Sequence, residues 1–261
     1  MAYEIRPMSV GEILDTGFRL LRNHFSLLVA ISAIAYVPMG ILQFGLALVG
    51  RGADPEQSTA MLVPILIVVG LMALVIIVAF PLSATAMTMA LGDLYVGRPT
   101  SVGKALGQSW SILLPVVGTG LLSSLLIGLA MLLFIIPGIY LIFAYWVSSQ
   151  VMVLERVFGM ATLNRSSELM TGNKGRGFVI GLVVVALVGV VSGGATWALS
   201  AFPILNAVAS TIVGAATYAF LYAVNVVFYF DVRCRREAFD LEHLAQLVEQ
   251  RGSGPAPSPA I

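Results

Sequence analysis

Six long stretches of apolar residues, separated by short polar connections, dominate the pattern along this chain. They cover about residues 25–49, 61–90, 111–135, 137–154, 177–201 and 204–230. A helix that crosses a membrane needs roughly 20 mostly apolar residues, so each stretch is a candidate span, the fourth being the shortest. The pattern predicts an all-α protein, a polytopic six-helix transmembrane bundle.

The third and fourth stretches are separated only by Pro137-Gly138. A single helix over residues 111–154 would be about 66 Å long at a rise of 1.5 Å per residue. That length is about twice the thickness of the hydrocarbon layer. Because Pro and Gly are the usual residues of turns, the chain is expected to turn at this dipeptide.

Two similar hexapeptides, SVGEIL at residues 9–14 and SVGKAL at residues 101–106, precede apolar stretches. Ser9 and Glu12 have the spacing of a capping box at a helix start. After Ser9, apolar or small residues recur at helical spacing: Val10, Ile13, Leu14, Gly17, Phe18 and Leu21. The positions 92 residues later carry a similar set: Val102, Ala105, Leu106, Ser109, Trp110 and Leu113. We therefore expect amphipathic interfacial helices at 9–24 and 101–110, each bending into the next span.

A third and weaker copy of this pattern begins near Gly159, shifted by 149 residues from the first. Its residues Leu163, Ser166 and Met170 correspond to Leu14, Gly17 and Leu21. The preferred interpretation is a unit of one interfacial helix and two spans that is used three times, because internal repeats are common in membrane folds. The alternative is a chance likeness among short helices next to a membrane.

After the membrane domain of residues 1–235, the chain ends in a polar segment. Residues 236–250 have an amphipathic pattern, with an apolar stripe at Phe239, Leu241, Leu244 and Val248 that predicts a cytoplasmic helix. Residues 251–261 are rich in Pro, Gly and Ser and have little to bury, so a disordered tail is expected.

Composition agrees with a membrane location, since 59% of the residues are hydrophobic and 10% are charged, against about 25% charged in soluble domains. All basic residues except Arg51 fall on connections that six spans place on one side. The positive-inside rule then predicts a multi-pass protein of the bacterial inner membrane with both termini in the cytoplasm. A net charge of +1 gives no reason to expect a nucleic-acid partner.

Residues that carry chemistry are scarce. Cys234 is the only cysteine, and His24 and His243 are the only histidines, so neither a metal site nor a cofactor is expected. The sequence lacks the common hydrolase, nucleotide-binding and metalloprotease motifs, and an enzyme is not expected. No charged residue falls in the middle of a span, which argues against ion-coupled transport.

The last span carries a polar stripe of Tyr218, Tyr222, Asn225 and Tyr229 at helical spacing. Unpaired polar groups are costly in hydrocarbon, so these side chains are expected to avoid lipid and are candidate ligand-binding residues. The alternative is hydrogen bonding between helices, with Gln43 and Gln150 as possible partners. We expect Asn225 to make an interhelical contact or to line a cavity.

The connection at residues 155–178 has the densest polarity between spans. Its cations Arg165, Lys174 and Arg176 are candidates for binding lipid headgroups, each contributing about 1 kcal/mol near an anionic surface. The alternative is that these charges serve only to orient the protein.

The stretch IIPGIYLIFAYWVSSQVMVLERVFGMATLNRSSELMTGN resembles the glycerophosphoryl diester phosphodiesterase membrane-domain family and the related YciC-like bacterial membrane proteins. The features that carry the resemblance are Pro137-Gly138, Glu155, Ala161, Arg165-Ser166, Leu169 and Gly172. SVGEILDTGFRLLRNHF and FYFDVRCRREAFDLE are similar to the family's ends. Some members join such a membrane domain to a soluble phosphodiesterase domain, for which the connections of this sequence are too short, so the resemblance implies no hydrolase activity here.

These observations favour a non-catalytic, lipid-associated accessory or partner-binding module. Its expected partners are membrane lipids, with a possible protein partner on the cytoplasmic face. The alternative is a transporter or permease-like protein for a lipid or a small amphiphile.

Overall fold

A computed structural model describes residues 6–51 and 58–238, which form helices and no strands. The helices are α1 (Val10–Asn23), α2 (Phe25–Arg51), α3 (Ser58–Leu74), α4 (Phe80–Tyr95), α5 (Val102–Leu133), α6 (Ile135–Ala144), α7 (Ser148–Gln150), α8 (Met160–Met170), α9 (Lys174–Ala198) and α10 (Pro203–Glu237), with π-helical turns at Val75–Ala79 and Val151–Glu155. The all-α prediction is confirmed. The predicted helix at 236–250 and the tail at 251–261 lie almost wholly outside the described residues.

Six helical segments of the described chain are long and apolar enough to cross a membrane. They are Phe25–Gly45, Ile65–Tyr95, Val102–Leu133, Ile135–Glu155, Lys174–Ala198 and Leu205–Glu237. Large apolar side chains on the outer faces of these segments are exposed, Leu114, Leu132 and Trp197 among them. Exposed apolar area on this scale marks a surface that contacts lipid rather than water, and the chain is an integral membrane protein.

Helix α1 begins where the capping box places it. The Ser9 N–H donates to a Glu12 carboxylate oxygen at 2.7 Å, and the Glu12 N–H donates to Ser9 Oγ at 3.3 Å. The bond from Ser9, together with one from Arg6, lowers the pKa of Glu12 to about 2. The helix buries one face, including Ile13, Gly17 and Leu20, and packs with it against α10.

The second hexapeptide also caps a helix, because Ser101 Oγ accepts a hydrogen bond from the Lys104 N–H at 3.3 Å. The helix does not end near residue 110 but continues as α5 to Leu133. The predicted end of this helix near residue 110 is therefore wrong, and the interfacial placement of residues 101–110 stays a prediction. No Gly or Pro stands between Gly107 and Pro115 to interrupt the helical hydrogen bonds.

Corresponding positions of the three similar segments each meet another helix. A Cβ added to Gly17 would lie 2.8 Å from Val224 Cγ2 of α10, and Ser109 Oγ contacts the Met89 sulfur of α4 at 3.6 Å. Ser166 Oγ donates to the Ala144 carbonyl of α6 at 2.9 Å. The threefold use of one unit stays a prediction, although a small residue mediates close packing at the same place in each segment.

The core is built around α4 and α10, which lie side by side in the bundle. The Tyr95 and Phe230 rings stack at 4.8 Å between centroids, and Tyr218 of α10 contacts Phe80 of α4 at 6.1 Å. Because the two contacts follow the same order along both helices, α4 and α10 run in the same direction. Helices α2 and α9 pack against α10.

The fourth predicted span is not one helix. Helix α6 ends at Ala144, a turn occupies residues 145–147, and α7 with its π-helical turn continues to Glu155. At the break the Ser148 N–H bonds to the Tyr145 carbonyl at 3.1 Å, and the Ala144 carbonyl accepts from Ser166 instead.

Candidate ligand cavity and the surrounding polar clusters

A cavity of about 290 Å³ lies between the α6–α7 turn, α9 and α10. Its walls are mainly apolar with a few polar groups, and the lining residues are Trp146, Ser149, Gln150, Ile180, Gly181, Val184, Val185, Leu221, Tyr222, Val224 and Asn225. Small-molecule sites are typically apolar pockets of this kind, with a few polar groups that fix orientation. We take it as the candidate site.

Asn225 links two elements at this cavity. The Trp146 indole N–H donates to Asn225 Oδ1 at 2.9 Å, and Asn225 Nδ2 donates to the Leu221 carbonyl one turn earlier at 3.0 Å. The prediction that Asn225 makes an interhelical contact or lines a cavity is confirmed in both respects. Trp146 was not foreseen as its partner.

Gln150 is the most deeply buried polar residue of the lining, with 1% of its surface exposed. Its amide oxygen accepts from Ser149 Oγ at 2.9 Å. Across residues 6–51 and 58–238, its amide nitrogen has no hydrogen-bond acceptor. These N–H groups are therefore available to a molecule in the cavity. Gln43, the other possible partner, is exposed on α2 and is not part of this lining.

The cavity opens at the side of the bundle. Val185, in its lining, is 68% exposed and lies about halfway along α9, whereas Ile180 and Val184 are buried. Close approach of the walls depends on Gly181, because a Cβ there would lie 2.6 Å from the Trp146 ring. In a bilayer crossed by α9, an opening at this depth would face hydrocarbon.

The polar stripe of α10 is divided among different neighbours. Tyr222 lines the cavity with Asn225, but Tyr218 packs edge-on against Tyr36, with ring centroids 5.5 Å apart. Tyr229 is fully buried, and its hydroxyl donates to Glu155 Oε1 at 2.7 Å. Of the four candidate ligand-binding residues, only the central pair, Tyr222 and Asn225, lines the cavity, and ligand binding by the stripe stays a prediction.

A buried carboxylate anchors the segment before α1. Asp231 accepts hydrogen bonds from the Met8 N–H at 2.7 Å, from Arg176 Nη1 at 2.7 Å and from Arg235 Nε at 3.1 Å. Both arginines also donate to the Met8 carbonyl. The Asp231 side chain is wholly inaccessible. This cluster fixes the chain before α1 to α9 and α10, and we call the end of the bundle where it lies the basic end.

The other predicted headgroup ligands also have partners within the protein. Arg165 pairs with Glu155 at 2.9 Å and with Glu237 at 2.5 Å, and the Lys174 ammonium lies 3.6 Å from the centroid of the Tyr140 ring. Arg165, Lys174 and Arg176 are thus not gathered into one site. Headgroup binding by them stays a prediction.

No known family model, curated protein or solved structure matches the chain. The class of protein that the fold defines is a polytopic α-helical membrane protein. Within it, the cavity at the α6–α7 turn is a pocket with several polar groups in its lining, whereas a second pocket of about 300 Å³ between α2 and α10 is lined almost wholly by apolar residues.

Sequence reasoning missed Trp146 and Asp231. Trp146 lies in a continuous apolar run without Gly or Pro, so nothing local marks the turn that brings it to Asn225. Asp231 did carry a signal, because Arg235 follows it at i+4, the spacing of an ion pair on one helix face.

Proposed function

We propose that the protein is a non-catalytic, lipid-associated module of the bacterial inner membrane, which takes a lipid chain or another amphiphile into the cavity beside Trp146 and Asn225. The observation that carries the proposal is a mainly apolar cavity whose lining includes Gln150. The amide nitrogen of Gln150 has no hydrogen-bond acceptor among residues 6–51 and 58–238. An amphiphile suits it, because one part fills apolar space and another accepts a hydrogen bond.

The cavity has room for part of a lipid molecule rather than for a whole one. A buried methylene contributes about 0.8 kcal/mol to binding, so even a short length of acyl chain in this cavity would be held appreciably. The rest of the molecule would extend past Val185 into the bilayer. The family resemblance of residues 135–173 is compatible with a lipid-related role and is retained as part of the proposal.

Mass spectrometry of lipids that co-purify from native membranes tests the proposal. Val185→Trp should block the mouth of the cavity without disturbing the bond between Trp146 and Asn225, and the enriched species should be lost. Val190→Trp is the matched control, because Val190 lies on the same helix, is 75% exposed and does not line the cavity. Equal lipid profiles for both variants would contradict the proposal.

The cavity also favours a second candidate, a transporter or permease-like protein for a lipid or a small amphiphile. Transport requires that the bound molecule be released on a different side from the one by which it arrived. Reconstituted vesicles with a fluorescent lipid in one leaflet would show protein-dependent redistribution, sensitive to Val185→Trp, if this candidate is correct. Enrichment of the lipid without redistribution would favour the accessory module.

A protein partner on the cytoplasmic face belongs to the same proposal. Phe18 of α1 is exposed, beside the exposed cations Arg19 and Arg22. In the proposed orientation, with both termini in the cytoplasm, this face contacts either headgroups or a partner.

A further inference from the structure

We propose that residues 135–155 form a re-entrant hairpin, which enters the bundle from the basic end, turns at residues 145–147 and returns to the same end. The tip of this hairpin forms the polar wall of the cavity. The hairpin goes beyond the proposed function, whereas the use of its tip by a ligand rests on that function.

The second arm of the hairpin ends at the basic end. Glu155 pairs with Arg165 at 2.9 Å and accepts the Tyr229 hydroxyl at 2.7 Å. Tyr229 lies two residues from Asp231, the carboxylate that defines this end through its bonds to Arg176 and Arg235.

The first arm begins at the same end. Lys174, the first residue of α9, covers the Tyr140 ring. The Phe143 and Phe178 rings then meet at 5.7 Å, and Trp146 closes against Gly181. These contacts advance in the same direction along α6 and α9, so the two helices run parallel there. A straight span over 135–155 would run antiparallel to α9, with Tyr140 about 22 Å from Glu155 along its axis.

Two further contacts join the hairpin and the connection that follows it to neighbouring helices, the first just before the turn and the second after Glu155. Ser166 of α8 donates to the Ala144 carbonyl at 2.9 Å, and the Gly159 N–H, just before α8, donates to Thr119 Oγ1 of α5 at 2.8 Å. Thr119 is about 25 Å along the helix from Val102, yet it meets the same connection that joins Glu155 to α8. Helix α5, although long enough to cross, therefore also stays on this side.

With α5 and the hairpin both on one side, the chain still crosses the membrane an even number of times, as in the six-span prediction. The connections that carry the basic residues therefore stay on the same side of the membrane as in that prediction. Exposed apolar residues at the α5–α6 junction, such as Leu133, Phe134 and Ile136, keep that junction within the bilayer rather than in water.

The break in the helix falls at the cavity. Non-helical backbone at membrane depth is tolerated where it is buried in protein or lines a cavity, and interrupted helices form the substrate sites of many transporters. Here the turn and the residues after it supply Trp146, Ser149 and Gln150 to the lining. Asn225 lies six residues from Asp231, about 9 Å deeper than the basic end. A ligand therefore reaches the site from the leaflet at that end.

The lining residues are all uncharged, so the site suits a neutral hydrogen-bond acceptor, such as an ester or ketone carbonyl on an apolar body, rather than a phosphate or a cation. The Gln150 amide nitrogen is the donor that such a group would meet.

Thiol cross-linking tests the hairpin without reference to any ligand. In a Cys234→Ser background, Tyr140→Cys with Lys174→Cys should be joined in membranes by a short bis-maleimide, because both positions lie at the surface and their native side chains touch. The comparison pair is Tyr140→Cys with Thr196→Cys, at the opposite end of α9. Cross-linking of the first pair alone is expected.

Cross-linking of the comparison pair, or failure of the first pair, would overturn the hairpin. For the ligand, Gln150→Leu should abolish co-purification of a carbonyl-bearing amphiphile while the first pair still cross-links. If cross-linking holds and Gln150→Leu leaves the lipid profile unchanged, the ligand class is refuted and the hairpin stands.

Discussion

Replacing Asp231 with alanine should release the segment before α1 from the rest of the bundle. The carboxylate is inaccessible to solvent and accepts bonds from the Met8 N–H and from two guanidinium groups. In its absence Arg176 and Arg235 would face each other across the Met8 carbonyl without an anion between them.

The expected cost follows from the burial of the partners. Removing one member of a buried ion pair typically destabilises a protein by 3–5 kcal/mol. The Arg176 and Arg235 side chains are 25% and 36% exposed, so water can compensate part of the loss. We expect Asp231→Ala to lower the free energy of unfolding by about 2–4 kcal/mol, and Asp231→Asn by less, because an amide oxygen can still accept from Met8.

Thermal unfolding in mild detergent measures this loss, and limited proteolysis before α1 reports whether that segment is freed. Asp15→Ala is the matched control, since Asp15 forms an exposed pair with Arg19 at 3.2 Å that is worth at most about 1 kcal/mol. If Asp231→Ala unfolds at the same temperature as Asp15→Ala, the cluster does not hold the N-terminal segment, and the reasoning is refuted.

Three other outcomes are expected. Reporter fusions at residue 55 and at the C-terminus should give opposite compartment signals, because the predicted topology places all basic residues but Arg51 on one side; identical signals would exclude that topology. Phe18→Asp or Trp110→Asp should weaken membrane insertion or stability by placing a charge at the acyl boundary, since both side chains are exposed, and unchanged detergent-resistant stability in both variants would show that these positions lie in water. Asn225→Leu should lower the free energy of unfolding by about 0.6 kcal/mol, the average for a hydrogen bond in a membrane, and should abolish co-purification of the amphiphile. A loss of stability with no change in bound lipid would assign Asn225 to packing alone.

The helices themselves were predictable because apolar length alone specifies a spanning segment. Helices α2, α9 and α10 lie close to the stretches predicted for them, and the cap at Ser9 follows from local hydrogen bonding with Glu12. The break at residues 145–147 was not predictable, because AYWVSSQ contains neither Pro nor Gly. The break is accompanied instead by contacts between residues distant in sequence, those of Ser166 with Ala144 and of Asn225 with Trp146.

The candidate site was predictable only in part. Helical spacing placed Tyr222 and Asn225 on one polar face, but the spacing contains no information about which helices surround that face. The helical spacing therefore grouped Tyr222 and Asn225 with Tyr229, although the Tyr229 hydroxyl donates to Glu155 at the basic end. Charge density likewise marked Arg176 without its partner Asp231, 55 residues away.

Photo-cross-linking in the native bilayer tests the central claim most directly, that the cavity beside Trp146 and Asn225 holds part of an amphiphile. A lipid with a photoreactive group on its acyl chain is activated in membranes that contain the protein, and the modified peptides are mapped by mass spectrometry. The account predicts adducts concentrated on residues 180–185 and 221–225, lost in Val185→Trp and retained in Val190→Trp. Adducts spread evenly over the exposed apolar surface, equal in both variants, would contradict it.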